Sequence, residues 1–367
     1  MSVLTLNAGS SSIKYAWFDG GRRLASGQVD GLGVGGAPHA QALAGLLAQS
    51  PGTPVRAIGH RIVHGGTAFD APVLIDDAVL DAIAALAPLA PLHQPHNVEG
   101  VRAARAAFPG VPQVACFDTA FHRTMPEVNQ VFALPRRWLD RGVRRYGFHG
   151  LSYESICSQL AADDARAAQG RIVIAHLGNG ASMCAVRGGR SVATTMSFSP
   201  LDGLPMGTRC GRIDAAVVLH LLQHERMSAE AIAQLLYRES GLLGMSGLSS
   251  DMRVLLESAE PAARLALDYF VEQIGRELAA LAASLRGLDM LVFTGGIGEN
   301  AASLRERIVR DAAWLGLELD AEANRRGQAR IAAPGSRVDV RVLRTDEETV
   351  IARHTERVAL QPIARSP

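Results

Sequence analysis

Lysine is nearly missing from this chain of 367 residues. Lys14 is the single lysine, and every other one of the 37 basic side chains is arginine. Acidic side chains number 36, so the formal net charge is only +1. Proteins that bind nucleic acids or anionic membranes usually show a surplus or a block of positive charge. We therefore expect neither as a partner.

Cysteines and long apolar runs are also scarce. The most apolar tract, 80–92, contains Asp81 and two prolines, so we do not expect it to span a bilayer. The N-terminus has no basic region followed by an apolar stretch. Four cysteines lie far apart without the spacing of metal or redox sites: Cys116, Cys157, Cys184 and Cys210. We expect buried thiols in a soluble, cytoplasmic protein.

Hydrophobic residues make up 48% of the chain, which is enough for a large core, and the length suggests two domains. An apolar run, 3–7, ends in a glycine-serine turn before a second run, 13–18. The same pattern returns later, with Leu6 and Leu177 in matching places. Two such hairpins half a chain apart predict a duplicated architecture.

Apolar periodicity gives the remaining elements. Strands are predicted at 54–63, 111–117, 290–293 and 338–343, and helices at 78–87, 98–108, 213–224, 229–238, 262–285 and 347–357. Strands and helices alternate, which is typical of the α/β class.

Three glycine-rich turns, 7–12, 178–180 and 294–300, each follow an apolar run. Such turns leave backbone N–H groups directed at an anion, although each alone is equally compatible with an ordinary hairpin. The chain has neither a P-loop nor a dinucleotide fingerprint. The three turns together predict a nucleotide site of another kind, and Lys14 beside the first turn suits a crowded phosphate.

Four polar residues stand on separate turns: Arg61, Asp118, His149 and Arg209. Each alone is compatible with a helix cap or a satisfied loop. Together they are suited to an anionic transition state, because arginines clamp phosphate and carboxylate groups and histidine donates to a phosphoryl oxygen.

Two further groups of residues leave alternatives open. Glu347 stands at a strand–helix junction, where it either begins a helix or helps to hold Mg²⁺. His60, His64, His93 and His96 have spacings that superficially resemble zinc pairs. Because they lie on turns and beside prolines, we expect substrate-site or loop roles instead.

Ten motifs, from 3 to about 353, resemble the acetate kinase family. They are LNAGSSSIKY, GHRIVHGG, PLHQPHN, FDTAFH, RYGFHG, HLGNGAS, PLDGLPMGTRCG, SSDMR, FTGGIGEN and TDEE. The resemblance implies two duplicated ribonuclease-H-like domains of the actin-like ATPase type with a cleft between them. It places the first domain at 1–122 plus 349–367 and the second, which binds nucleotide, at 123–348.

The resemblance also implies site residues and a homodimer formed through the second domain. Catalytic residues are Asp118, His149 and Arg209; Arg61, Val63, Leu92, Phe148 and Pro200 bind the acid; Asn7 and Glu347 bind the metal. ATP or ADP is contacted by Lys14, His176, Leu177, Gly178, Asn179, Gly180, Asp251, Met252, Arg253, Gly295, Gly296, Ile297, Gly298 and Glu299. The metal is Mg²⁺, with Mn²⁺ as an alternative.

The implied reaction is a reversible, direct in-line transfer of the ATP γ-phosphoryl group to acetate. Acetate is already ionised at pH 7, so Asp118 is not needed as a base. We predict that it orients Arg61, Arg209 or the metal shell. The alternatives are a propionate kinase of the same family, a nucleotide-binding protein without kinase activity and, more remotely, a dehydrogenase.

Several positions depart from the family pattern. The chain is shortened between Asp30 and Val55, Arg212 and Ala215 replace Asp and Pro, and His96 replaces a common proline. The resemblance therefore leaves open how these changes affect the dimer surface and the rim of the acid site.

Overall fold

The computed structural model describes residues 2–9, 12–30, 45, 52–165 and 167–360. The chain divides into two compact units. Unit 1 comprises Met1–Arg123, Phe148–Ser155 and Asp346–Pro367, and unit 2 comprises Thr124–Gly147 and Ile156–Thr345.

One segment, Phe148–Ser155, lies in unit 1 although the sequence placed it in the second domain. Backbone bonding and packing explain this correction. The Gly150 N–H donates to the Asp118 carbonyl at 3.0 Å. Leu151 packs in the same buried cluster as Val114 and Cys116 of unit 1.

Unit 1 is built on a six-stranded sheet of order β3-β2-β1-β4-β6-β5. Its strands are β1 (Ser2–Ala8), β2 (Ser12–Asp19), β3 (Arg22–Asp30), β4 (Ala57–Ile62), β5 (Val73–Leu74) and β6 (Gln113–Phe117). Strands β1, β2 and β3 pair antiparallel, whereas β1, β4 and β6 pair parallel.

Unit 2 repeats this arrangement in a five-stranded sheet of order β11-β10-β7-β8-β9. Its strands are β7 (Arg171–Leu177), β8 (Ala181–Arg187), β9 (Arg190–Thr194), β10 (Met290–Thr294) and β11 (Asp339–Val342). Strands β7, β8 and β9 pair antiparallel, whereas β7, β10 and β11 pair parallel. The predicted α/β class and duplication are confirmed.

Thirteen α-helices surround the sheets in the described ranges. They are α1 (Asp77–Ala85), α2 (Gln94–Ala107), α3 (Arg136–Asp140), α4 (Gly150–Asp163), α5 (Ala215–Gln223), α6 (Ala229–Arg238), α7 (Gly241–Ser246), α8 (Met252–Glu257), α9 (Pro261–Leu285), α10 (Gly295–Asn300), α11 (Ala302–Asp311), α12 (Ala321–Arg325) and α13 (Glu347–Thr355). No helix of the described residues is long and apolar enough to cross a membrane.

The prediction of a turn at 294–300 is wrong, because Gly295–Asn300 forms a helix. Gly295 has φ +79°, and its position lets the chain bend after β10 and enter helix α10 at once. A Cβ at Gly295 would lie 2.7 Å from the Leu177 carbonyl oxygen, so only glycine fits there. The backbone N–H groups of this segment therefore begin a helix.

The cysteine prediction holds in part. Cys116 and Cys184 are buried, whereas Cys157 and Cys210 are only half-buried. Cys210 lies on a loop and Cys157 on α4, so neither occupies the centre of a sheet as the other two do.

Helix α13 is fixed closely against β4. A Cβ at Gly59 would lie 2.2 Å from Thr355 Oγ1 and 2.5 Å from Ile351 Cγ2, so this contact requires glycine. Asp346 caps the helix by accepting from the Thr349 N–H at 3.0 Å. This packing positions Glu347, the first residue of α13, near the end of β4.

We predict that the free energy of unfolding falls in acid, because three histidines are buried. Burial lowers the pKa of His60, His64 and His122 from 6.5 to about 4. Between pH 6.5 and pH 4, these histidines bind protons in the unfolded chain but stay neutral in the folded chain. The free energy of unfolding is therefore highest above pH 6.5 and falls toward pH 4 by about 1.4 kcal/mol per pH unit and histidine.

Urea unfolding between pH 7 and pH 4 measures this effect. The variant His60→Gln should show a pH slope smaller by one histidine than that of the wild type. Equal slopes in the two proteins would contradict the assignment.

Candidate functional site

In unit 1, Arg61 and Asp118 form a two-pronged ion pair. Arg61 belongs to β4, and Asp118 directly follows the neighbouring parallel strand β6. Arg61 Nη2 lies 2.7 Å from Asp118 Oδ2, and Nε lies 3.0 Å from Oδ1. The Asp118 side chain is 1% exposed. Of the three partners predicted for Asp118, the structure therefore shows Arg61.

Two further side chains approach the same guanidinium. Asn7 Oδ1 lies 3.5 Å from Arg61 Nη1, and Glu347 Oε2 lies 3.6 Å from Nε. Burial alone would lower the pKa of Arg61, but the carboxylates of Asp118 and Glu347 outweigh it and raise the pKa. Arg61 is therefore a fixed, permanent cation.

The oxygens around Arg61 match the needs of Mg²⁺. Asn7 supplies an amide oxygen and Glu347 a carboxylate, which are the hard ligands this ion prefers. Among the described residues there is no group of three or more His, Cys, Asp and Glu suited to a metal ion. Mg²⁺ usually binds one or two carboxylates together with water and substrate phosphates, so this sparse set of oxygens fits.

Lys14 lies on the same sheet as Asn7. The antiparallel register of β1 and β2 pairs Asn7 directly with Lys14. Residues paired in this way share a face of the sheet. The exposed Lys14 side chain therefore stands beside Asn7, at the predicted phosphate turn.

Predicted pocket residues of unit 1 are largely buried. Val63 is 6% exposed and Phe148 1% exposed, while Leu92 is half-buried. The His64 ring meets the Phe148 ring edge-on at 5.5 Å. This wall is apolar, and Val63 follows Arg61 by two residues in the sequence, so a small apolar group attached to an anion fits its chemistry.

Sequence reasoning missed two buried amides that hold this wall. Asn97 accepts from the Val63 N–H at 3.0 Å and donates to the Ala8 carbonyl at 2.8 Å. Gln94 bonds both the N–H and the carbonyl of His64. Both lie in the motif PLHQPHN, but nothing in the sequence marks an amide as buried.

The histidine-rich segments behave as structural elements in unit 1. His60 contacts Gln113 Oε1 at 2.8 Å, and His64 Nδ1 accepts from the Gly66 N–H at 2.8 Å. Their bonds are to the protein itself. The expected position on turns is wrong for His60, which lies within β4, and for His96, which lies within α2.

Unit 2 contains a cavity of about 670 Å³ built around two of the glycine segments. Its walls are Gly178, Asn179, Ser250, Asp251, Met252, Arg253, Leu256, Gly296, Ile297, Asn300 and Ala301. This volume suits a nucleotide-sized ligand. Ser250, Leu256 and Ala301 were missed, although each adjoins a predicted residue in sequence or on a helix turn, whereas Asn300 lies in the predicted turn 294–300.

Seven predicted nucleotide residues do not line the cavity: Lys14, which belongs to unit 1, and His176, Leu177, Gly180, Gly295, Gly298 and Glu299. Leu177 is fully buried in the sheet. The Glu299 carboxylate accepts from the Gly295 N–H at 2.9 Å, so it stabilises the start of α10.

Asp251 and Arg253 are paired at the cavity wall. Asp251 caps α8 by accepting from the Arg253 N–H at 2.9 Å, and its carboxylate also contacts the guanidinium at 2.6 Å. The Arg253 bonds lower the pKa of Asp251. The cavity therefore presents both an acceptor and a cation at one edge.

Arg209 is tied to the same region of unit 2. Its Nη1 donates to the Pro200 carbonyl at 3.0 Å. Two residues earlier, the Gly207 N–H donates to the Asn179 carbonyl at 3.2 Å, and a Cβ at Gly207 would lie 2.1 Å from Asn179 Oδ1. Only glycine permits this approach, which fixes the Arg209 loop against the cavity wall.

Comparison with known proteins agrees with this geometry. Residues 39–353 match the model of the acetokinase family. An acetate kinase of Methylocella silvestris is 52% identical, and the alignment covers 96% of each chain.

Two crystal structures also match nearly the whole chain. Acetate kinase of Porphyromonas gingivalis is 36% identical with a TM-score of 0.88, and the match covers 97% of this chain and 99% of that one. A propionate kinase of Francisella tularensis is 35% identical with a TM-score of 0.92, at the same coverage. The chain therefore belongs to the acetokinase family.

Proposed function

We propose that this protein is an acetate kinase, which reversibly transfers the γ-phosphoryl group of ATP to acetate and forms acetyl phosphate and ADP. The observation that carries the proposal is Arg61, a permanent cation held by Asp118 beside a small apolar wall. Acetate is a carboxylate with one methyl group, and this arrangement complements both of its parts. The relatives named above support the same activity.

The acid binds to unit 1 in this proposal. Arg61 holds the acetate carboxylate, and the methyl group contacts Val63, Leu92 and Phe148. The carboxylate is ionised at neutral pH, so no base is required. Asp118 acts by keeping the guanidinium in one orientation.

The nucleotide binds to the cavity of unit 2, lined by the segments around Gly178, Asp251 and Gly296. Lys14 contacts its phosphates. Asn7 and Glu347 would hold Mg²⁺, which neutralises phosphate charge when bound. The volume of the cavity is compatible with ATP or ADP, and the acid is the proposed phosphoryl acceptor.

The transfer itself is a single displacement. An acetate oxygen attacks the γ-phosphorus, the bond from that phosphorus to the β–γ bridging oxygen breaks, and ADP leaves with the bonding electrons. His149 and Arg209 donate to the phosphoryl oxygens as charge spreads over them. Catalysis comes from positioning and charge neutralisation, and we place the reaction in the cytoplasm, where ATP is available.

Propionate is the second candidate substrate, because a propionate kinase is among the structural relatives. An added methylene group changes binding in an apolar pocket by only about 1–3 kcal/mol. The test is hydroxylamine trapping of the acyl phosphate with ATP, Mg²⁺ and, separately, acetate, propionate and butyrate. Acetate should give the highest kcat/KM; a higher value for propionate would favour the alternative, and no product from any acid would refute the kinase.

We also propose that the protein is a homodimer formed through unit 2. Helix α5 is almost wholly apolar, AAVVLHLLQ, and none of its residues is buried. Leu219 and Leu222 are 53% and 44% exposed, and Ile213 beside them is 38% exposed. A second copy of the same face would cover this apolar surface.

Charge on α5 should therefore break the dimer. Leu219→Asp is expected to give a monomer in analytical ultracentrifugation, whereas Leu74→Asp, at an exposed leucine of unit 1, should leave a dimer. A wild-type protein that is already monomeric, or a Leu219→Asp variant that stays dimeric, would contradict this interface.

A further inference from the structure

Two hydrogen bonds join the segment after β6 to the segment that precedes α4, both within unit 1. The Gly150 N–H donates to the Asp118 carbonyl at 3.0 Å. His122 Nε2 lies 2.9 Å from the Phe148 carbonyl oxygen. A carbonyl only accepts, so Nε2 carries the proton and donates it. These two bonds stand on either side of His149.

His149 has a backbone conformation that needs such support. Its φ is +59°, in the left-handed region that non-glycine residues rarely adopt. A residue in this region is strained and persists only where its surroundings hold it there. A Cβ at Gly150 would lie 2.1 Å from the Asp118 carbonyl oxygen, so the bond on that side depends on glycine. The bond on the other side depends on His122.

The His122 ring is held in place by the residues packed around it. The side chain is 1% exposed, and its ring meets Phe121 and Tyr153 edge-on, each at 5.6 Å between centroids. The backbone N–H of His122 donates to the Thr119 carbonyl at 3.2 Å. Burial lowers the pKa of His122 to about 4, so the ring is neutral at physiological pH.

We propose that His122 is a positioning residue: its Nε2–H bond to the Phe148 carbonyl fixes the Phe148–His149 peptide, and so directs the His149 side chain and holds the Phe148 ring in the acid pocket. This rests on the proposed kinase activity, in which His149 contacts the transferring phosphoryl group. His122 itself touches no substrate, and its proton stays on Nε2. The motif FDTAFH contains His122, but nothing in the sequence distinguishes its role.

Three variants separate the hydrogen bond from the bulk of the ring. A glutamine amide nitrogen reaches about as far from the backbone as Nε2, whereas an asparagine amide nitrogen reaches only as far as Nδ1. Phenylalanine keeps the ring and removes the donor. We expect His122→Phe and His122→Asn to lower kcat about 10- to 100-fold, and His122→Gln to stay within about threefold of wild type.

The Michaelis constants provide a second readout. The KM for ATP should stay within about twofold in all three variants, because the cavity that we assign to ATP lies in unit 2. The KM for acetate should rise in His122→Phe and His122→Asn, since the Phe148 ring loses its fixed position. Rates are counted per ADP site measured by calorimetry, which corrects for unfolded protein. Equal kcat values for the Gln and Asn variants would overturn the proposal.

Histidine NMR tests the geometry without activity. In protein labelled with ¹⁵N-histidine, the His149 ring resonances should shift in His122→Asn and stay in place in His122→Gln. Unchanged His149 resonances in both variants would refute the positioning role. A wild-type protein that forms no acyl phosphate would refute the proposed function instead, and the NMR result would still decide whether His122 directs His149.

Discussion

Asp118→Asn should lower kcat/KM for acetate by about 10²- to 10³-fold, the size of effect seen when one preorganised polar group is removed from an active site. The Asp118 carboxylate accepts three bonds from Arg61, at 3.0, 3.1 and 2.7 Å. An amide in its place presents an N–H₂ group to the guanidinium, and the guanidinium must turn away. Arg61 then no longer faces the acid.

The control for this variant is Asp77→Asn. Asp77 pairs with Arg105 at 2.6 Å, but its side chain is 91% exposed. Pairs of this kind are worth little, so activity should stay at the wild-type level. Steady-state kinetics with varied acetate measure both variants. Wild-type kcat/KM in Asp118→Asn would show that the pair does not orient Arg61 for catalysis.

Arg209→Ala should lower kcat by about 10²- to 10³-fold with little change in the KM for acetate, and His149→Ala should act in the same way. Both side chains are assigned to the phosphoryl group, whose charge spreads most in the transition state. Arg61→Ala should instead raise the KM for acetate, because Arg61 binds the acid before the reaction. This split between kcat and KM separates the two roles.

An exposed arginine of unit 2 serves as the control for Arg209. Arg264 is 86% exposed and lies 4.0 Å from Asp268, so Arg264→Ala should leave kcat unchanged. If Arg209→Ala and His149→Ala both keep nearly wild-type kcat, the assigned transition-state residues are wrong.

Eight of the eleven strands followed from the sequence because their signals are local, whereas β3, β5 and β9 were not predicted. Apolar runs bounded by glycine turns fixed β1 with β2 and β7 with β8, and the repeat of this pattern indicated the duplication. The position of Phe148–Ser155 in unit 1 did not follow, since it depends on long-range contacts, such as the bonds from Gly150 to Asp118 and from His122 to Phe148. Packing at this distance leaves no local pattern.

The sequence indicated which kinds of residue belong to the site, but only some of the contacts between them. Strand ends explained why Arg61 and Asp118 lie together, because neighbouring parallel strands end at one edge of a sheet. The supporting amides Gln94 and Asn97 were not distinguished, because a buried amide looks like any surface amide in sequence. The segment Gly295–Glu299 looked like a turn, and only the structure shows that it begins a helix.

The structure explains some of the positions at which the chain departs from the family pattern. Arg212 lies 2.7 Å from Glu277, whose pKa is raised by burial, so the arginine at this position has a carboxylate partner. Ala215 begins α5 behind the capping residue Asp214, so the missing proline does not prevent the helix. The shortened region between Asp30 and Val55 lies largely outside the described residues.

The most direct test of the central claim is ³¹P NMR of the product formed from ATP, Mg²⁺ and [¹⁸O₂]acetate. If an acetate oxygen attacks the γ-phosphorus, acetyl phosphate will carry ¹⁸O in the bridge between carbon and phosphorus, and its phosphorus signal will move upfield by the isotope shift. ADP should appear in equal amount. Release of phosphate without acetyl phosphate, or acetyl phosphate without ¹⁸O on phosphorus, would contradict direct transfer to acetate.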